Sequence, residues 1–105
     1  MEEKITLYRN QLAEISKKPN EFGFNSEIRP LCDYLYYFKP CDRDSKLVYE
    51  DCKTSIQIQQ DLDDIVSLSI NEISRLMKHL NFICVQKGNY FVWKMQRIEA
   101  PQTTI

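Results

Sequence analysis

One stretch of the chain constrains the fold more than any other: residues 67–96 predict an amphipathic helix that runs directly into a tight β-hairpin. Ser69 and Glu72 have the spacing of a capping box, in which two side chains satisfy free backbone N–H groups at a helix start. The residues after the helix are rich in aromatic and β-branched side chains, as strands are. Because Gly88 and Asn89 tolerate positive φ, we expect the chain to reverse there.

This helix is predicted to have one apolar face and one polar, partly basic face. Apolar residues recur at helical spacing, and they are Ile70, Ile73, Leu76, Met77 and Leu80. The remaining positions carry hydrogen-bonding or basic side chains: Asn71, Ser74, Arg75, Lys78 and His79. We therefore expect the helix to pack on a core through the first face and to present the second face to solvent.

Positive charge is concentrated in the same part of the chain. Residues 1–66 contain nine Lys and Arg against thirteen Asp and Glu, whereas residues 67–105 contain five against two. The net charge of the whole chain is −1. The basic side of the molecule therefore coincides with the predicted helix and hairpin. Dedicated non-specific DNA binders are usually more basic than this chain, since much of their affinity comes from neutralising phosphates.

Length and hydropathy are typical of one small domain. The chain has 105 residues, of which 43% are hydrophobic, enough for one core and little more. No apolar run approaches the ~20 residues that a membrane-spanning helix needs. The first ten residues, MEEKITLYRN, lack the continuous apolar segment of a secretory signal. We expect an intracellular, cytoplasmic protein.

Residues 3–17 predict a first helix, which Pro19 ends because proline cannot continue the hydrogen-bond ladder. Its apolar stripe consists of Ile5, Tyr8, Leu12 and Ile15. We expect this stripe to cover the domain's own core, and the alternative is that it binds a partner protein or a second copy in a homodimer. The predicted organisation is an N-terminal helix and connection at 1–28, a main domain at 29–97 and a flexible tail at 98–105.

Further elements are predicted between the first helix and the helix that precedes the hairpin. A short aromatic-rich helix starts at Pro30 and continues to Phe38, and Pro40 closes it. A charged loop and a short strand at 46–49 follow. The next helix runs from about residue 51 to 63, with Thr54 or Asp51 as its cap. From Pro30 onward, the order helix, strand, helix, helix, strand, strand is that of a winged helix-turn-helix domain.

The predicted fold class is therefore mainly α with a small antiparallel β-sheet (α+β), a winged helix-turn-helix with an extra N-terminal helix. The segment from Tyr34 to Lys94 also resembles a known type, through residues 37–40, 47–49 and 74–82 and the Gly-Asn-Tyr hairpin. It is similar to the winged-helix module at the C-terminal end of virulence-associated E and phage primase-helicase proteins. Asn81 stands where glycine is usual, and asparagine tolerates the left-handed geometry of that turn.

The resemblance implies a setting in replication or in a mobile element such as a phage, with a DNA-binding accessory role. The sequence contains no Walker-type glycine loop, so we expect either a detached module or a free-standing relative. A helix of this kind can enter the major groove, where Arg binds guanine and Asn reads adenine, while lysines of the hairpin reach phosphates. The predicted contacts to double-stranded DNA are Asn71, Ser74, Arg75, Lys78, His79, Lys87, Lys94 and Arg97.

One alternative to the DNA-binding interpretation follows from the same residues. The charged side chains can simply face solvent, while the domain binds a partner protein through its acidic first half and the tyrosines of the second helix, which are Tyr34, Tyr36 and Tyr37.

The cysteines form no C-x-x-C pair, so we expect reduced thiols, with zinc as the alternative, at Cys32, Cys41, Cys52 and Cys84. The acidic cluster at 61–64 predicts a solvated helix end. We predict no enzymatic activity and no cofactor.

Overall fold

The computed structural model describes residues 2–41 and 51–98, which form four α-helices and a three-stranded antiparallel sheet. The elements in chain order are α1 (Glu2–Lys17), α2 (Arg29–Leu35), β1 (Phe38–Pro40), α3 (Ser55–Leu62), α4 (Ile70–His79), β2 (Ile83–Lys87) and β3 (Tyr90–Arg97). Two 3-10 turns, Pro19–Phe22 and Ser26–Ile28, connect α1 to α2. The prediction of a mainly α fold with a small antiparallel sheet is confirmed.

The helix caps explain where α3 and α4 begin. The Thr54 hydroxyl accepts the Gln57 N–H at 3.0 Å, and the Gln57 side chain accepts the Thr54 N–H at 2.8 Å, which completes a capping box. Ser69 caps α4 by accepting the Glu72 N–H at 3.1 Å. Of the two predicted caps for α3, Thr54 is the one used. Asp51 instead accepts the backbone N–H of Arg97 at 3.0 Å.

The second helix is shorter than predicted, and this is a correction. It ends at Leu35, and Phe38–Pro40 forms strand β1, which pairs antiparallel with the far end of β3. Phe38 is the first residue of β1, and its side chain is buried in the core. Pro40 is tolerated because β1 is an edge strand. The predicted strand at 46–49, the loop before it and the tail beyond residue 98 lie outside the described residues.

The hairpin forms where the sequence predicts it. β3 is the central strand of the order β1-β3-β2, and Lys87 lies opposite Tyr90 across a two-residue turn. Gly88 has φ 61°, whereas Asn89 does not have positive φ. This sign pattern is that of a type II′ turn, in which glycine occupies the first central position. Gly88 alone supplies the unusual backbone geometry.

The apolar stripe of α1 packs on the domain's own core, as predicted. Tyr8, Leu12 and Ile15 are buried in one cluster with residues of α2, α3, α4 and the sheet. The Tyr8 hydroxyl donates a 2.6 Å hydrogen bond to the Leu35 carbonyl, and its ring meets the edge of Phe82 at 6.0 Å. The N-terminal helix is therefore part of the same folded unit as the rest of the described chain.

A left-handed residue joins α4 to the hairpin. Asn81 has φ 69°, its N–H donates to the Lys78 carbonyl, and the Phe82 N–H donates to the Met77 carbonyl, both at 3.0 Å. These two bonds form a Schellman motif, which satisfies carbonyl groups at the helix end. The expectation that Asn81 adopts left-handed geometry at this turn is confirmed.

We expect Asn81→Ala to lower the free energy of unfolding by about 1–2 kcal/mol, because a Cβ without a hydrogen-bonding side chain is strained at positive φ. Asn81→Gly should leave stability unchanged or raise it slightly. Urea unfolding followed by circular dichroism measures both changes. Equal stability of the alanine and glycine variants would contradict the left-handed geometry.

Candidate nucleic-acid interface

Helix α4 presents a polar strip opposite its buried face. The residues that α4 buries are Ile73, Leu76 and Met77. At 100° per residue, Asn71, Arg75 and Lys78 lie on the opposite side of the helix, and all three are exposed. Seven residue steps separate Asn71 from Lys78, or about 10 Å along the axis. Three of the residues predicted to contact DNA therefore share one exposed strip.

Arg75 is held at the border of this strip by the connection that follows α1. One guanidinium nitrogen, Nη2, donates to the Gly23 carbonyl at 2.9 Å, and the group lies 4.9 Å from the ring centroid of Phe24. Gly23 has φ 82°, and a Cβ there would lie 3.3 Å from Arg75 Nη2, so the close approach depends on glycine. Since a guanidinium has five N–H donors, an exposed Arg75 keeps donors available for a ligand.

His79 lies on the same border. Its ring makes edge-to-face contacts with Phe22 at 5.8 Å and with Phe24 at 5.9 Å, while the side chain stays exposed. Residues 22–24 therefore form one border of the polar strip of α4. The sequence predicted this segment only as part of the connection that follows the first helix.

Ser74 does not lie on the outward face, which corrects its prediction as a DNA contact. Its side chain is half-buried, and its hydroxyl lies 3.0 Å from the Ser55 hydroxyl of α3. The Trp93 indole N–H donates to the same Ser55 oxygen at 2.9 Å, and the Trp93 backbone N–H donates to the Lys53 carbonyl at 2.8 Å. Ser74 therefore belongs to a chain of hydrogen bonds that ties α4 to α3 and to the hairpin.

The basic residues of the hairpin do not form one patch. Lys94 is 4% exposed on the central strand, so its prediction as a surface contact to phosphate is wrong. Lys87 lies next to the turn and is half-buried. Arg97 is exposed at the other end of β3, about 24 Å along the strand from Tyr90. Of these three residues, Lys87 is therefore the one at the tip of the hairpin.

Arg97 borders a different feature, an open cleft of about 560 Å³ between α2, the end of α3 and the end of β3. In this cleft Asp61 accepts hydrogen bonds from Tyr34 Oη and Lys53 Nζ, both at 2.7 Å. Burial by itself would raise the pKa of Asp61, but the hydrogen bonds from Lys53 and Tyr34 outweigh it, and the pKa is lowered. Asp61 is thus paired, and it remains exposed at the end of α3, where the sequence predicted a solvated helix end.

The cysteines occupy different environments. Cys32 and Cys52 are buried, Cys41 is partly buried and Cys84 is exposed, and none is in a disulfide. Burial, followed by the nearby Asp33 carboxylate, raises the pKa of Cys32 to about 12. Within residues 2–41 and 51–98, no three His, Cys, Asp or Glu side chains are grouped so that they could hold a metal ion.

Two exposed aromatic residues at the hairpin tip were not among the predicted contacts. Tyr90 is 51% exposed and Phe91 is 62% exposed. The sequence showed these residues only as part of an aromatic strand. The sequence signal that was available is their position just after the turn at Gly88. Residues next to a hairpin turn lie at the tip of the ribbon, beyond the part that packs on the rest of the domain.

No family model matches this chain, and no match was found among curated proteins or solved structures. In the part of the chain that the structure describes, no helix has the length and hydropathy to cross a membrane. The functional conclusion therefore rests on the geometry of α4 and the hairpin.

Proposed function

We propose that this chain is a winged helix-turn-helix domain that binds double-stranded DNA, with α4 in the major groove and the β2–β3 hairpin as the wing. The order α2, β1, α3, α4, β2, β3 and the sheet order β1-β3-β2 support this assignment. The domain would act as a transcriptional regulator or as a replication accessory of a mobile element, and the sequence resemblance favours the second setting.

The observation that carries the proposal is the exposed strip of α4, which contains no acidic side chain, although the helix itself includes Glu72. Residues 73–97 include five Lys and Arg and no Asp or Glu. Two of the five, Arg75 and Lys78, lie on the exposed strip together with Asn71. A helix with its side chains is about 10–12 Å in diameter and fits a major groove that is about 12 Å wide. Positive charge on a groove-sized helix is the arrangement that phosphates attract.

The three side chains of the strip offer different contacts. An arginine forms paired hydrogen bonds to the O6 and N7 atoms of guanine, and an asparagine does the same with N6 and N7 of adenine. Lysine contributes a point charge to a phosphate oxygen. We therefore assign base contacts to Arg75 and Asn71 and a backbone contact to Lys78. The Gly23 carbonyl holds Arg75 at the edge of the strip before any ligand binds.

A fluorescence anisotropy titration with random-sequence duplex DNA at two salt concentrations tests the proposal. Affinity should fall steeply as salt rises, because binding releases counterions from the phosphates. Lys78→Ala should weaken binding and reduce the logarithmic salt slope by about 1. Arg75→Ala should weaken binding as well. Lys18→Ala, an exposed lysine outside α4, is the matched control and should leave affinity unchanged.

Absence of binding at low salt, or equal loss of affinity in the Lys18 and Lys78 variants, would contradict the proposal. Circular dichroism of each variant verifies that the fold is retained, since all three substituted side chains are exposed.

A second candidate function is protein binding without nucleic acid. One observation favours it: Tyr36 and Tyr37 are exposed just after α2, and the Arg9 guanidinium stacks on the Tyr36 ring at 4.1 Å. Tyrosine and arginine are the residue types that concentrate binding energy at protein interfaces. This surface lies outside α4, so a Tyr37→Ala variant that loses a protein partner and leaves DNA affinity unchanged would separate the two functions.

A further inference from the structure

The tip of the hairpin exposes two neighbouring aromatic rings. Tyr90 and Phe91 start β3 immediately after the turn, opposite Lys87 and Gln86 of β2. Single exposed apolar residues are normal on protein surfaces. Two neighbouring rings that are 51% and 62% exposed are less usual, and the described fold covers neither ring. This tip is available to a ligand.

The two rings lie on opposite faces of the ribbon, since successive residues of a strand alternate. Phe91 shares its face with Trp93, which contacts α3 through the Ser55 hydroxyl. Phe91 lies about 7 Å further along the strand, beyond the part that Trp93 fixes. A partner with a flat surface that covers one face of the ribbon would contact only one of the two rings. A ligand into which the hairpin tip inserts would contact both rings.

The charge of the hairpin favours nucleic acid over protein as that ligand. Lys87 is the cation beside the two rings, and residues 83–97 contain no Asp or Glu, which suits a polyanion. Proteins that bind single-stranded nucleic acid combine positive charge with aromatic rings on which bases stack. The hairpin tip has both features, with Lys87 beside Tyr90 and Phe91.

We propose that the tip stacks on unpaired bases adjacent to the duplex that α4 binds, so that the preferred ligand is a duplex with a single-stranded extension. This inference rests on the proposed DNA-binding function and adds the class of DNA. Within an intact duplex the base faces are covered by their neighbours, and a ring can reach them only at the cost of unstacking. At the end of a duplex with an unpaired extension, that cost is largely absent.

Three fluorescein-labelled DNAs test the inference: a blunt duplex, the same duplex with a single-stranded tail, and the tail alone. The parent protein should bind the tailed duplex about 5- to 150-fold more tightly than the blunt one, the range expected for one stacked base. Phe91→Ala should remove most of that difference, measured as the ratio of tailed-duplex to blunt-duplex affinity. Tyr90→Ala should reduce the difference, and Phe91→Tyr should retain it.

Tyr37→Ala is the matched control, because Tyr37 is similarly exposed, at 53%, but lies outside the hairpin. It should keep the preference for the tailed duplex. Thermal unfolding of each variant should match the parent, since the substituted side chains are exposed. A 2-aminopurine base at the junction should be quenched by the parent and by Phe91→Tyr, and not by Phe91→Ala.

Equal affinity of the parent for blunt and tailed duplexes, with binding that still depends on Lys78, would overturn the inference and leave the DNA-binding proposal intact. A tail preference that persists in both alanine variants, as expected if the tip docks a protein, would also overturn it. Absence of binding to all three DNAs would overturn the proposed function as well.

Discussion

Replacement of Trp93 by alanine is expected to lower the free energy of unfolding by about 3–5 kcal/mol, the usual range for a buried tryptophan. Trp93 is 5% exposed, lies on the central strand and packs in the main core. Its indole N–H also donates to Ser55 Oγ at 2.9 Å. The substitution would therefore leave both a cavity and a hydroxyl without its donor. Urea unfolding measures the loss. It is followed by far-ultraviolet circular dichroism, because Trp93 is the single tryptophan and its replacement removes the tryptophan fluorescence signal.

A conservative variant separates packing from hydrogen bonding at this position. Trp93→Phe keeps most of the apolar volume and removes the indole N–H, so we expect a smaller loss, with about 1 kcal/mol from the hydrogen bond. Ser55→Ala removes the other partner, and a double-mutant cycle of the two gives the coupling energy. A loss below about 1 kcal/mol for Trp93→Ala would contradict the buried position of the ring.

Replacement of Leu76 by alanine is expected to lower the free energy of unfolding by about 2–5 kcal/mol. Leu76 has no exposed area and lies on the buried face of α4. Alanine is the best helix former, so the loss would come from the cavity and not from helix propensity. Chemical unfolding of the variant measures the change.

Lys78→Ala is the matched control on the same helix. Because Lys78 is exposed, its replacement should change stability by no more than about 0.5 kcal/mol. Similar losses in the Leu76 and Lys78 variants would show that α4 does not have one buried and one exposed face. The same lysine variant would then also be unsuitable as a probe of DNA binding.

Local signals were sufficient to predict α4 and the hairpin. The Ser69 cap, the apolar periodicity and Gly88 act within a few residues of the elements that they define, so one sequence contains the whole signal. Asn81 belongs to the same class, because its left-handed backbone follows from its own side chain and position. The exposed strip of Asn71, Arg75 and Lys78 follows directly from helical periodicity.

Errors arose where the outcome depends on distant partners. Phe38 is in a strand because it pairs with Arg97, a residue almost sixty positions away, and no local pattern reports that pairing. Lys94 is 4% exposed, whereas Tyr90, on the same face of the same strand, is 51% exposed. Ser74 is half-buried because α3 places Ser55 against it. Sequence periodicity assigns side chains to a face of an element, but it does not show which part of that face another element covers.

The short connection between α4 and β2 limits how the two ligand-facing parts of the molecule can move. Only residues 80–82 separate the helix from the strand, and the left-handed Asn81 and its Schellman bonds fix their path. The hydrogen bonds from Trp93 through Ser55 to Ser74 fix the same geometry from the other side. The distance between helix and hairpin tip is therefore set by the fold, and any molecule that touches both must match that distance or deform to reach it.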